Sequence, residues 1–315
     1  MAILAIVIAV LVAVFLVLVL ASKKAVQQAE AEFPPIGEFV TVEGVRIHYL
    51  CQGSGKAVVL IHGNTGFIQD FTPEVFNSAA QAYRTFAFDR PGHGYSDRPR
   101  NEAITAIDQA RLLREALQQL GIETPIIVGY SWGGSVALGY ALEYPNELSG
   151  LVLLGALAFR RERLNPLLEI IAETPIIGDL FRAILPVVLG RNLVQQNLIK
   201  AFAPDTVPAN YLRIAQALWT RPSQTLALTQ DNLTINPTLA ALSPRYSQIR
   251  VPVVIVTGNQ DQIVNAQANS LALHQVVMRS ELIELPKTGH AIPKTRPQIV
   301  IDAIRRVESK NNSIE

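Results

Sequence analysis

The 315-residue chain holds one cysteine, Cys51. That excludes an intrachain disulfide framework and a Cys-rich zinc site, and it fits a reducing compartment. An excess of either charge is also missing. The chain has 27 Lys+Arg against 26 Asp+Glu, for a formal net charge of +1, and no block of five or six like charges. Nucleic-acid binding by a basic face therefore gets no support. Charged residues make up only 17%, hydrophobic ones 49%, and the mean hydropathy is +0.25. This composition excludes a disordered chain. No internal repeat or low-complexity tract is visible.

The hydrophobic excess has one source. Every residue from Met1 to Ala21 is hydrophobic, and residues 2–21 contain no charge, Gly or Pro. Without that leader the chain is roughly 45% hydrophobic, an ordinary globular value. Twenty helical residues reach about 30 Å, the thickness of a hydrocarbon core. A cleavable signal usually has a basic start and a shorter apolar stretch. Here no Lys or Arg precedes the run, so a retained single-pass anchor is the favoured reading. The small-x-small tripeptide Ala29-Glu30-Ala31 keeps open a cleaved signal, with a secreted or periplasmic product. Lys23 and Lys24 just after the span place the body on the cytoplasmic side if the anchor stays. The expected organisation is an anchor over 1–22, a polar tether over 23–37 ending near Pro34-Pro35, and a body from residue 38.

The body alternates short β-branched runs with amphipathic stretches. Residues 38–53 read as a hairpin turning at Glu43-Gly44. Residues 57–61, 85–88, 125–129, 151–154, 253–257 and 281–285 read as buried strands. Helices are predicted over 105–120, with Gly121 as the stop, and over 133–143 and 294–307. Such alternation implies right-handed crossovers and a mostly parallel α/β sheet with helices on both faces. Residues 157–243 break the pattern. They carry Leu, Ile and Ala runs punctuated by seven prolines between Pro166 and Pro237. They are expected to form several short helices inserted between core segments 38–156 and 244–315. An insertion at the carboxyl ends of the strands would cover the ligand crevice.

Gly129-Tyr130-Ser131-Trp132-Gly133-Gly134 follows a predicted strand and opens a predicted helix. A sharp turn there lifts the serine hydroxyl above the sheet at a helix N-terminus, as a nucleophile requires. The hydroxyl needs a base. Of the five histidines, His290 lies just after the last predicted strand. His48 falls in the hairpin, His62 and His93 in loops, and His274 in a predicted helix. Asp261 follows another strand and can fix the His290 tautomer, or cap a helix after it. The order Ser131, Asp261, His290 is the one expected of this arrangement. Backbone N–H donors for an oxyanion are expected from Trp132 and from Asn64 in the loop 62–66.

These motifs resemble the α/β-hydrolase superfamily across residues 38–308. The matching text is HGNTG at 62–66, DRPGHGYSDRP at 89–99, GYSWGG at 129–134, GNQD at 258–261 and TGH at 288–290. The resemblance implies the α/β-hydrolase fold with a helical cap over 157–243, a triad of Ser131, Asp261 and His290, and oxyanion donors at Asn64 and Trp132. It makes His93 structural. Asn64 and Trp132 are also similar to features of haloalkane dehalogenases and epoxide hydrolases, but those use an aspartate nucleophile where this chain has Ser131. Cofactor-free haloperoxidases share the serine triad. The expected function is a membrane-anchored serine hydrolase that cleaves a lipophilic carboxylic ester without metal or organic cofactor. The apolar runs Ile176-Ile177 and 185–189 suggest the lipophilic substrate. Perhydrolase, amide or carbon–carbon bond chemistry on the same triad, and a non-catalytic binding protein on this fold, are the alternatives.

Overall fold

The computed structural model describes residues 2–99, 103–161, 174, 178 and 190–312. Helix α1 runs unbroken over Ala2–Glu32. It is long and apolar enough to cross a membrane by length and composition. The polar tether expected over 23–37 is therefore helical through Glu32. Between Lys23 and Glu32 every residue but Val26 is a strong helix former, and the first breakers are Pro34 and Pro35.

Strands β1 (Glu38–Val42) and β2 (Val45–Gln52) form the predicted hairpin. Its turn places Glu43 at φ 50° and Gly44 at φ 79°, the left-handed pair that matches strand twist. The remaining strands are β3 (Ala57–Ile61), β4 (Arg84–Phe88), β5 (Ile126–Tyr130), β6 (Gly150–Leu154), β7 (Val253–Gly258) and β8 (Ser280–Leu285). They join one sheet in the order β1-β2-β4-β3-β5-β6-β7-β8. β2 pairs antiparallel with β1 and β4, and every other pairing is parallel.

Alternation along each buried strand feeds two cores. Val59, Ile61, Leu151, Leu153 and Ile255 face one cluster, with α3 (Ala106–Gln119) and α4 (Trp132–Glu143). Val58, Leu60, Val152, Leu154 and Val254 face the other, with α2 (Glu74–Ala79) and the C-terminal helix Pro297–Asn312. Thr105 starts α3 through a capping box with Asp108, and Gly121 follows its end at φ 68°.

Between β6 and β7 the described residues include the α-helices α5 (Arg191–Phe202), α6 (Ala209–Leu218) and α7 (Pro222–Leu242), followed by a 3-10 turn over Ser243–Gln248. Among the described residues of this insertion there is no strand. The helices are not all short, because α7 runs for 21 residues through Pro237. Its buried face of Ile235, Thr238, Leu239 and Leu242 is held by packing that outweighs one lost backbone bond. The runs Ile176-Ile177 and 185–189 lie outside the described residues. Past β7 the chain forms α8 (Ala272–Val276), α9 (Ile292–Thr295) and α10 (Pro297–Asn312). Because β3 to β8 are parallel, the loops carrying Asn64, Ser131, Asp261 and His290 all emerge at one edge of the sheet.

Candidate active site

Ser131 sits between the last residue of β5 and the first of α4, with φ 54° and ψ −119°. A non-glycine residue in that region is strained and is held there by its surroundings. Its N–H donates to the Leu154 carbonyl at 2.9 Å, and its own carbonyl accepts from Gly134 and Leu157, each at 3.0 Å. Gly133 permits the close passage beneath. A Cβ there would lie 2.4 Å from the carbonyl oxygens of Ile61 and His62.

The structure brings three predicted residues together. Ser131 Oγ lies 2.8 Å from His290 Nε2, and His290 Nδ1 lies 2.7 Å from Asp261 Oδ2. The carboxylate accepts the Nδ1–H, which leaves Nε2 as the acceptor facing the hydroxyl. Asp261 Oδ1 accepts the backbone N–H groups of Ile263 and Val264 at 2.8 and 2.9 Å. The carboxylate thus also caps the residues immediately after it, which form a turn rather than a helix. Tyr130 packs against the His290 ring, with centroids 5.1 Å apart. Asn64 and Trp132 flank Ser131, and among the described residues neither backbone N–H has a hydrogen-bond partner.

The other histidines lie elsewhere. His62 is fully buried, donates from Nδ1 to the Gly63 carbonyl and accepts the Arg90 N–H at Nε2, both at 2.8 Å. Burial, then the Arg90 charge, push it well below the usual histidine range, so it is neutral and organises the loop. His93 is buried against Asp231 and Gln224, and burial and Arg90 push it down to about 4. His48 pairs with Asp89 at 2.7 Å inside the hairpin region. His274 is exposed beside Ser280. Cys51 lies exposed on β2.

A cavity of about 880 Å³ opens above Ser131. Its walls include Leu198, Phe202, Tyr211, Trp219, Leu228 and Asn232 from the insertion. Asn64 Nδ2 donates to Asn232 Oδ1 at 3.0 Å, and Arg161 also reaches that oxygen. The sequence reading missed three side chains here. Asp70, 3% exposed, lines the cavity and accepts the Tyr211 hydroxyl at 2.7 Å. Burial pushes its carboxyl up to about 6, against the opposing pull of Tyr211 and Lys294. Arg90 donates to the His62 and Gly63 carbonyls at 3.1 and 3.0 Å and lies 4.3 Å over the Trp132 ring. Asp231 from α7 receives Arg90 at 2.7 Å, and Arg98 and His93 at 3.0 Å each. A signal existed for Asp231, since it is the one charged residue in the whole of Pro222–Leu242. Among the described residues, no group of three or more His, Cys, Asp or Glu side chains is placed to hold a metal ion.

A family model described as alpha/beta hydrolase fold matches residues 56–297. The chain belongs to the alpha/beta hydrolase family. It is 29% identical over 282 residues to an uncharacterized protein of Mycobacterium tuberculosis, covering 87% of this chain and 81% of that one. It is 29% identical over 267 residues to a 2-hydroxymuconate semialdehyde hydrolase of Pseudomonas putida, covering 83% and 90% of the two chains. Among solved structures, an alpha/beta hydrolase fold protein from Burkholderia ambifaria superposes with a TM-score of 0.73 at 23% identity, covering 85% and 96%. Similar proteins bear the names of hydrolases of varied substrates, and the fold alone does not choose among them.

Proposed function

We propose that this alpha/beta hydrolase is a serine hydrolase that cleaves a carboxylic ester, with Ser131 as nucleophile, His290 as general base and Asp261 as its orienting acid. The observation that carries the reading is the relay Ser131 Oγ–His290 Nε2–His290 Nδ1–Asp261 Oδ2, at 2.8 and 2.7 Å. Ser131 Oγ attacks the carbonyl carbon while His290 Nε2 takes its proton. The oxyanion is received by the unpartnered N–H groups of Asn64 and Trp132, the second at the N-terminus of α4. His290 then gives its proton to the leaving alcohol. A water, deprotonated by His290, attacks the acyl carbonyl, and collapse returns the proton to Ser131 and releases the acid. A serine at this position suits acyl transfer. The alkyl-ester route of haloalkane dehalogenases and epoxide hydrolases needs a carboxylate there.

The helical insertion serves as a cap over 157–243, walling the cavity with Leu198, Phe202 and Trp219 beside Asn64 and Asn232. That mixture suits an amphiphilic ester. Residues 2–21 of α1 serve as the single-pass membrane anchor. Lys23 and Lys24 favour a cytoplasmic body. Alkaline extraction of membranes tests this, because release of the body to the soluble fraction would contradict a retained anchor.

A second reading, carbon–carbon bond hydrolysis on the same triad, is favoured by the identity to the Pseudomonas putida enzyme. A panel of acyl esters of rising chain length, run beside a vinylogous 1,5-diketone acid, separates the two. Turnover of the esters, absent in Ser131→Ala, supports the first reading. Turnover of the diketone acid alone supports the second.

A further inference from the structure

The C-terminal turns of α1 do not hang free below the body; they are built into the cap. Ser22, the first residue past the apolar run, is 6% exposed, and so is Ala29. Val26 between them is half-buried, while Lys23, Lys24 and Ala25 are exposed. One face of the helix is therefore covered at these positions, at the four- and three-residue spacing of a helical stripe, and the partly covered Phe15, Leu18 and Val19 carry that face back into the apolar run. This stretch of α1 packs on cap helix α6. Glu30 accepts Arg221 Nη1 at 3.0 Å, and the Arg221 side chain is 4% exposed at the junction of α6 and α7. Arg221 also donates to the Gly94 carbonyl and lies 4.8 Å over the Tyr95 ring, whose hydroxyl donates to the Phe33 carbonyl. Arg213 of α6 pairs with Glu32 at 3.2 Å and covers the Phe33 ring at 5.4 Å. Exposed ion pairs are individually weak. The buried Arg221 cluster and the covered helix face give the joint its definition.

The length of the joint sets the height of the cap. At about 1.5 Å per residue, Ala29 lies about 12 Å and Glu32 about 17 Å along the axis beyond Ala21. The headgroup layer on one side of a bilayer is roughly 5–8 Å thick. If Ala21 ends the membrane span, as the anchor reading has it, Ser22 falls inside that layer and the Glu32 contact with α6 falls just above it. α6 itself carries Tyr211 and leads to Trp219, both in the wall of the Ser131 cavity. The neighbouring cap helix α5 supplies Leu198 and Phe202 to the same wall and exposes Leu193 and Ile199 outside.

We propose, building on the serine-hydrolase and anchor readings above, that α1 docks the cap onto the bilayer surface so that the Ser131 cavity takes a single-chain amphiphilic ester from the adjoining leaflet rather than from the aqueous phase. The anchor then acts as a strut that fixes the orientation of the cap, beyond tethering the enzyme to a compartment.

The test uses the full chain in phosphatidylcholine proteoliposomes and two substrates: a soluble short-chain p-nitrophenyl ester, and a long-chain monoacylglycerol dissolved in the vesicles. A flexible Gly/Ser linker of about twelve residues, inserted between Ala21 and Ser22, keeps the enzyme membrane-bound and leaves the docked turns intact, yet frees the body to tumble. A second variant, Glu30→Lys/Glu32→Lys, undocks the turns without changing chain length. The expected result is a fall of about tenfold or more in turnover of the vesicle substrate, with the soluble ester unchanged within about twofold, in both variants. An equal change in the two rates, whatever its size, would overturn the proposal. Failure of the parent protein to cleave either ester would instead overturn the serine-hydrolase reading on which it rests.

Discussion

Arg90 Nη1 and Asp231 Oδ2 meet 2.7 Å apart, the one from the turn after β4 and the other from helix α7 of the insertion, with side chains 2% and 0% exposed. Burial alone would raise the Asp231 carboxyl, but Arg90, Arg98 and His93 together hold it far below the usual carboxylate range. The same guanidinium reaches the His62 and Gly63 carbonyls and covers Trp132. One ion pair thus ties the helical insertion to the two segments that flank Ser131.

Removing Arg90 takes from the buried Asp231 carboxylate its shortest ion pair and leaves Arg98 as its remaining charged partner. Arg90→Met is expected to cost about 3 kcal/mol or more of stability. The double variant Arg90→Met/Asp231→Leu should lose less than the two single losses combined. Denaturation midpoints of the three variants check this, and strict additivity would contradict the coupling.

Asp261→Asn keeps the shape of the relay and spoils its proton. An amide facing His290 Nδ1 favours the tautomer whose Nε2–H points at Ser131, so the base is lost. The rate constant for ester cleavage should fall on the order of 10⁴-fold with little change in folding. Retained turnover would show that His290 is oriented by something other than Asp261.

Asp70 gives a pH signature. Its carboxyl is raised to about 6 by burial in the folded state, whereas the unfolded chain titrates near the ordinary carboxylate value of 3.8. Below the unfolded value both states hold the proton and no penalty acts. As pH rises through about 6 the folded state must ionise a buried group, so stability falls. Asp70→Asn cannot ionise and keeps an acceptor for the Tyr211 hydroxyl. Its stability relative to the parent should rise by about 2–3 kcal/mol between pH 4 and pH 7. Unfolding midpoints of both proteins across that range check the sign, and a flat difference would contradict the burial effect.

The strands and the meeting of Ser131, Asp261 and His290 were legible because each has a local signature. Apolar runs of four or five residues set the parallel strands within a residue or so, and Gly129, Gly133 and Gly134 around Ser131 declare a tight strand-to-helix turn. The hairpin at Glu43-Gly44 declared itself by the same rule. What stayed hidden depends on contacts distant in sequence. Asp70 meets Tyr211, 141 residues away, and Arg90 meets Asp231 at the same separation. Nothing near either residue reports its partner. The polar run 23–32 looked like a tether because its charges suit solvent. Its helix propensity and its Arg213 and Arg221 partners on the insertion decided otherwise. Pro237 looked like a helix end, and packing of α7 carried the helix through it.

The most direct measurement is covalent labelling of the native protein with a fluorophosphonate, followed by peptide mass spectrometry and comparison with Ser131→Ala. An activated serine predicts a single adduct on Ser131 that disappears in the variant while folding is unchanged. Absence of labelling in well-folded native protein, or labelling that persists in Ser131→Ala, would contradict a nucleophilic Ser131 and with it the hydrolase mechanism.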